Sequence, residues 1–324
     1  MNLKTPYNDW LSSIDLAKTR VIRFPSLIFL CGGEISTNSD RFKSCRDIFY
    51  RYISQNDSVF KKNVVLAEQI FRYFEHSTYQ DLLHFERDLA ELSSLIVLFS
   101  ESPGSIAELG SFAVLRTIQD RMLVVLHQED SYKESFIWQG PALYLKHLAE
   151  KNGKQDPISI YFWRKRASED DFLSQDDFSD AKDLEETINK ILDSAYKSVA
   201  WDKKQLGHIM LLMLDLLQVV QIATIDEITN FLNFLGVEKN RRTVGQHLSL
   251  LLSLGFAVRK PYGHNVYYLS TTHRSWLSWT FKSTAKIRDI DRWKDLFVEH
   301  YSSYEIQKSR ALRSYLKSEG LIGD

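Results

Sequence analysis

Glu108 is the residue whose setting most suggests chemistry. It lies in Phe99-Ser-Glu-Ser-Pro-Gly-Ser-Ile-Ala-Glu-Leu-Gly-Ser111. The preceding apolar run, Leu95–Phe99, reads as a buried strand, and a Ser-Pro-Gly turn leads from it into a helix. An acidic side chain one turn into a helix, at the carboxyl end of a parallel strand, is where an α/β fold places reactive groups. The alternative is a plain carboxylate interacting with the helix dipole. Ser102-Pro103-Gly104-Ser105 opens that helix. Free amides there favour an anion such as a phosphate, or Ser105 is only a cap. A second loop, Cys31-Gly32-Gly33, closes the apolar run Leu27–Leu30. Its glycines either admit a ligand close to the backbone or make an ordinary tight turn.

The elements that must hold these loops alternate along residues 1–165. Strand-like runs fall at 27–30, 63–66, 95–99 and 122–126. Helical spacing covers Arg41–Gln55, Thr78–Leu92 and Ser105–Gln119. Such alternation predicts a mainly parallel sheet covered on both faces. Residues 168–186 hold nine acidic residues and one lysine, so 166–202 reads as a solvated acidic linker or the start of a helix. From 203 the period becomes helical: Lys203–Gln221, then Ile225–Leu235 behind a Thr224 cap, then Asn240–Leu254. Phe256–Arg259, a Pro-Tyr-Gly-His turn and Val266–Leu269 complete a winged helix-turn-helix over 203–272. Residues 273–324, with Trp276, Trp279 and Trp293, read as a helical extension. The expected fold is thus a parallel-sheet, Rossmann-like α/β domain followed by a mostly helical winged-helix domain.

The 324 residues suggest about two domains, and 44% hydrophobic residues are enough for substantial cores. With 41 basic against 42 acidic residues, the chain is not a generally basic nucleic-acid coat, although a local basic patch remains open. The two cysteines, Cys31 and Cys45, show no zinc spacing and no disulfide framework. No metal or bound cofactor is expected. The absence of a basic-then-apolar leader fits a cytoplasmic setting. The apolar stretch Ile209–Val220, broken by Asp215 and Gln218, is too short to span a bilayer.

Taken together, Phe29-Leu-Cys-Gly-Gly33, Leu83-His-Phe-Glu86 and Ser102-Pro-Gly-Ser-Ile-Ala-Glu-Leu-Gly110 resemble the nucleoside 2-deoxyribosyltransferase-like superfamily over residues 25–145. Within it they resemble the toxic effectors of bacterial retrons, in which such a domain is fused to a winged-helix module. The resemblance implies a catalytic domain over 1–165 with Glu108 acting at the anomeric carbon of a ribose. Glu86 stands where the superfamily has an aspartate that orients the sugar, and Glu101 is a second candidate for that work. Phe29 stands where the transferases often have a tyrosine. Phe29, Cys31, Gly32, Gly33, Ser102, Gly104 and Ser105 are the implied substrate-binding positions.

Chemistry narrows the substrate. Cleavage of an N-glycosidic bond passes through an oxocarbenium-like state that a carboxylate stabilises. A neutral purine leaves poorly without a proton donor, whereas the nicotinamide of NAD⁺ is already a cationic leaving group. One firm carboxylate and no evident general acid therefore suit NAD⁺ as a substrate. Cleavage of a (deoxy)nucleotide, deoxyribosyl transfer, or a nucleotide-sensing DNA-binding regulator are the alternatives. Trp138, in Phe136-Ile-Trp-Gln-Gly-Pro141, is either a core aromatic or a wall beside the base. From Lys239 to His264 there are five Lys or Arg residues and no acidic one. Lys239, Arg241, Arg242 and Thr243 open the presumed recognition helix, and Arg259 and Lys260 lie on the wing, where nucleic-acid contact or a protein-interaction surface is open. The retron resemblance implies a reverse transcriptase and its multicopy single-stranded DNA (msDNA), a branched DNA–RNA hybrid, as partners, with an inhibitory and possible higher-order assembly.

Overall fold

The computed structural model describes residues 6–37, 41–56, 58–66, 69, 79–131, 134–194 and 198–320. The chain divides into two compact units. One comprises Pro25–Arg72 and Leu89–Tyr196; the other comprises Met1–Phe24, Tyr73–Asp88 and Lys197–Asp324. Helix α1 (Tyr7–Ser13) and strand β1 (Arg20–Val21) open the chain and belong to the second unit.

The first unit is built on a five-stranded parallel sheet. Its strands are β2 (Ile28–Cys31), β3 (Val64–Leu66), β4 (Leu95–Phe99), β5 (Met122–His127) and β6 (Ile158–Tyr161), in the spatial order β3-β2-β4-β5-β6. The register pairs Ile28 with both Val64 and Leu95, Ile96 with Met122, and Val124 with Ile158. Strands β2, β4 and β5 are buried along their whole length. This explains why they read as continuous apolar runs: both faces of a parallel sheet are covered. On one face Ile28, Leu30, Val97, Phe99 and Val125 pack against Ile48, Phe49 and Ile53 of α2 (Cys45–Gln55). Leu184 and Ile188 of α6, named below, join the same core. On the other face Phe29 meets Phe112 of α4 (Pro103–Ala113), ring centroids 6.3 Å apart. The helix before β4 is α3 (Leu82–Leu92), and the one before β6 is α5 (Leu143–Lys151).

Several sequence-based bounds are corrected. Helix α2 begins at Cys45, not Arg41, because Ser44 accepts the Asp47 amide as its cap, while Phe42 pairs instead with Leu173. Helix α4 begins at Pro103, whose missing N–H costs nothing in a first turn, and ends at Ala113; Gln119–Arg121 is a separate 3₁₀ turn. Thr78, the expected start of α3, lies outside the described residues. Strand β6 was not foreseen, because an edge strand is only half-covered and shows no apolar run. The acidic stretch ends in helix α6 (Ala181–Ser194), and before it Arg164 grips Asp171 at 2.7 Å and Asp177 at 3.0 Å.

In the second unit, β7 (Val199–Ala200) leads to the apolar helix α7 (Leu206–Val220). Strand β8 (Ala223–Thr224) and helix α8 (Ile225–Phe234) follow; Thr224 and Glu227 form a reciprocal cap at the helix start. Helix α9 (Arg241–Ser253) is capped by Asn240 and precedes a hairpin of β9 (Ala257–Tyr262) and β10 (Asn265–Ser270). Gly263 turns the hairpin at φ +60°, a conformation that costs glycine little. Residues 273–289 are not helical, contrary to the sequence-based reading. They hold β11 (Leu277–Ser278), which pairs antiparallel with β1. The buried Asp215 carboxylate accepts the amides of Trp276 and Leu277, and this tertiary contact overrides local helical spacing. Helices α10 (Ile290–Tyr304) and α11 (Ile306–Ser318) end the chain. Among the described residues no helix is long and apolar enough to cross a membrane.

Candidate active site

The strand order places the carboxyl ends of β2 and β4 side by side at the point where the chain's winding direction reverses. In open α/β sheets ligands bind in the crevice outside that point. The two loops singled out from sequence, Gly32–Gly33 and Glu101–Ser105, are the loops that leave β2 and β4 there.

Glu101 occupies the junction between them. One carboxylate oxygen, Oε1, accepts the Gly33 amide at 2.9 Å and the Arg46 amide at 3.0 Å. The other, Oε2, accepts the Cys45 amide at 2.7 Å. Cys45 and Arg46 are the first two residues of α2, so an internal carboxylate fills that helix's anion-binding end. Burial raises the Glu101 pKa above the ordinary carboxylate value, opposed by the three amides and the Arg46 charge. The same junction explains the two glycines. A Cβ on Gly33 would stand 2.6 Å from the Ser44 Cβ, and one on Gly32 would stand 2.8 Å from the Arg46 Cδ. The glycine pair is therefore required by close packing of the protein on itself.

Ser102 and Ser105 cap α4 reciprocally. The Ser102 hydroxyl accepts the Ser105 amide at 3.2 Å, and the Ser105 hydroxyl accepts the amides of Ser102 at 3.0 Å and Glu101 at 3.2 Å. Gly104 is exposed, and a Cβ there would have no neighbour nearer than 3.9 Å. Glu108 lies in the second turn of α4. It is half-buried, beside exposed Ala107 and, one turn on, half-buried Ser111. One of its carboxylate oxygens, Oε2, is buried. Phe29 and Cys31 are fully buried in the core. Glu86 is also buried, but it lies in the part of α3 that belongs to the second unit.

Sequence reasoning missed two residues of this neighbourhood. Arg46, 1% exposed, donates from Nη1 to the Leu30 carbonyl at 3.2 Å. Asp47, fully buried, accepts the amides of Ser36 and Lys43 and pairs with Arg51 at 3.0 Å. The Ser44-x-x-Asp47 cap spacing was the signal that could have marked the start of α2. Among the described residues no group of three or more His, Cys, Asp or Glu could hold a metal ion.

In the second unit Arg241 and Arg242 are exposed at the start of α9, and Thr243 is half-buried, its amide bonded to Asn240 Oδ1 at 2.9 Å. Lys239 is half-buried. Arg241 pairs with Asp226 at 2.8 Å, and both are exposed. Arg259 and Lys260 are successive residues of β9, so the pleat sends them to opposite faces of the hairpin. Arg241 and Arg259 line one groove between α8, α9 and the hairpin, together with Asp226 and Glu227.

A doubly wound α/β unit with a carboxylate-bearing helix at its switch point places that carboxylate where ligands of such folds bind. The sequence profile of the STM3845 retron effector protein family matches residues 42–259, and the chain belongs to that family. Two Escherichia coli relatives carry matching stretches. One is the "Retron Ec86 putative ribosyltransferase/DNA-binding protein", 31% identical over 125 residues, which is 39% of each chain. The other is the "Retron Ec73 putative ribosyltransferase/DNA-binding protein", 27% identical over 129 residues, 39% of this chain and 40% of the relative. The matched stretch spans about two fifths of either relative's length.

Proposed function

We propose that this retron effector is an N-glycosidase that hydrolyses NAD⁺ to nicotinamide and ADP-ribose. The observation that carries the reading is the place of Glu108: a half-buried carboxylate on the helix that leaves the switch point. The ribosyltransferase in the relatives' names supports the same class of chemistry.

In this reading Glu108 faces the ribose C1′ and stabilises positive charge as the bond to nicotinamide breaks. The bonding electrons pass to the pyridinium nitrogen and neutralise it, so the leaving group takes up no proton. Water adds to C1′ and loses a proton to solvent. Glu101 acts as the clamp that sets the Gly33 loop and α2 against the β4–α4 loop. Because it already holds the amides of Gly33, Cys45 and Arg46, the diphosphate belongs over the exposed Gly104 turn of α4. Gly32, Ser102 and Ser105 shape that turn and its neighbour; Phe29 and Cys31 support them from the core.

We read α7–α9 with the β9–β10 hairpin as a winged helix whose α9 meets nucleic acid. Arg242, Arg259 and Lys260 make no ion pair or side-chain hydrogen bond among the described residues, which leaves their charges available to phosphates. Lys239, Arg241 and Thr243 complete the surface. Reverse transcriptase and msDNA are the partners that hold the enzyme in check. The test is expression of the effector without its reverse transcriptase. Cellular NAD⁺ should collapse with the wild type and hold with Glu108→Gln; equal NAD⁺ in both strains refutes the reading.

A further inference from the structure

Phe136 is 82% exposed, an unusual place for a phenylalanine in the α/β unit. Its ring is nonetheless supported from beneath: a Cβ on Gly140 would stand 3.3 Å from the ring's Cζ. Gly140 belongs to a single π-helical turn, Trp138–Ala142, that contains Pro141 and packs against α4. Turns of this kind recur at functional sites. A second tie holds the region in place: Gln119 Nε2 donates to the Ala113 carbonyl at the end of α4, 2.7 Å, and to the Tyr144 hydroxyl in the first turn of α5, 3.1 Å.

Glu108 is the sixth of the eleven residues of α4. At 1.5 Å per residue no part of that helix is more than about 8 Å along its axis from Glu108. The π-helical turn that backs Phe136 therefore meets α4 within the span of a nucleotide. It also follows β5 on the carboxyl side of the sheet, where ligands of this fold collect. Trp138, the aromatic singled out from the sequence, is half-buried in the turn itself.

We infer that Phe136 is the base-stacking platform of the Glu108 site, a subsite for the planar heterocycle of the substrate. A flat ring, open on one face and seated on a glycine on the other, suits a nucleobase or a pyridinium. The inference rests on the proposed N-glycosidase reading and names the residue that would select for an aromatic base.

The test is calorimetric titration of NAD⁺ into the full chain carrying Glu108→Gln, alone and combined with Phe136→Ala or Phe136→Trp. Phe136→Ala should weaken NAD⁺ binding about 5- to 150-fold, the range for losing one base–aromatic stack, and Phe136→Trp should restore it. The melting temperature should stay unchanged, because an exposed ring adds little to the core. Titrating ADP-ribose and nicotinamide mononucleotide separately identifies the stacked ring by which affinity falls. Equal NAD⁺ affinity with and without Phe136 overturns the inference and leaves the glycosidase reading standing. No NAD⁺ binding to Glu108→Gln overturns both.

Discussion

Replacing Glu101 by glutamine tests whether this carboxylate is the clamp of the switch point. The side chains are nearly isosteric, so what changes is charge and one acceptor. The glutamine carbonyl can take the place of Oε1 and keep the amides of Gly33 and Arg46. Its NH₂ then faces the Cys45 amide, which loses a 2.7 Å bond and meets a donor instead. A charge-assisted hydrogen bond contributes about 1.5–3 kcal/mol, and the two that remain become roughly half as strong. Relief of the buried charge, which shows in the raised Glu101 pKa, offsets part of that loss. The net local cost is about 2 kcal/mol, equivalent to roughly 30-fold faster opening. Amide hydrogen exchange reads this directly: Gly33, Cys45 and Arg46 should exchange about 30-fold faster in Glu101→Gln. Unchanged protection at all three would refute the clamp.

Gly33→Ala should destabilise the α/β unit by about 1–3 kcal/mol, because the new methyl meets Ser44 rather than a flexible tip. Gly104→Ala, which has room and removes a helical glycine, should be neutral or stabilising by up to about 1 kcal/mol; urea unfolding compares them. Burial raises Asp215 to about 7 and lowers His247 to about 4, and His247 Nε2 lies 3.6 Å from Asp88. The Asp215 contribution is full below its ordinary carboxylate range and is lost as pH rises towards 7. The His247 contribution is full above its ordinary 6.5 and is lost as pH falls towards 4. Each slope is about 1.4 kcal/mol per pH unit, and the two oppose each other between them. The stability of Asp215→Asn relative to wild type should therefore rise from pH 4.5 to 6.5, and that of His247→Gln should fall; parallel profiles would contradict the assignment. On the hairpin and α9, Arg242→Ala and Arg259→Ala should each lower msDNA affinity and flatten its salt dependence by about one unit of slope. Arg241→Ala should do so less, because Asp226 already pairs with it. Filter binding across salt concentrations reads all three.

The sheet was legible in the sequence because β2, β4 and β5 are apolar along their whole length, a pattern that only a doubly covered parallel strand produces. Strand β6 was not, since an edge strand keeps Ile160 43% exposed and carries Ser159 in its middle. The three helices α7–α9 and their hairpin followed from helical spacing, the Thr224 cap and the Pro-Tyr-Gly-His turn, and Thr224 and Gly263 do locally what their chemistry predicts. Residues 273–289 misled because three tryptophans within eighteen positions of 276 imitate an amphipathic helix, while the bonds that decide their path come from Asp215, about sixty positions earlier. The site shows the same division. The segment bearing Glu108 stands out through its strand–turn–helix wording. The bonds of Glu101 to Gly33, Cys45 and Arg46 cross 55 to 68 positions of chain and leave no local pattern. The platform at Phe136 was passed over for Trp138 because exposure is a property of the fold and not of residue type.

The most direct measurement is nicotinamide release from NAD⁺ by the purified effector, alone and with its reverse transcriptase and msDNA, wild type beside Glu108→Gln. The account predicts release by the wild type alone, less release once reverse transcriptase and msDNA are bound, and none by Glu108→Gln in any state. Release by Glu108→Gln at the wild-type rate would contradict it, and so would a wild type that is inert on its own.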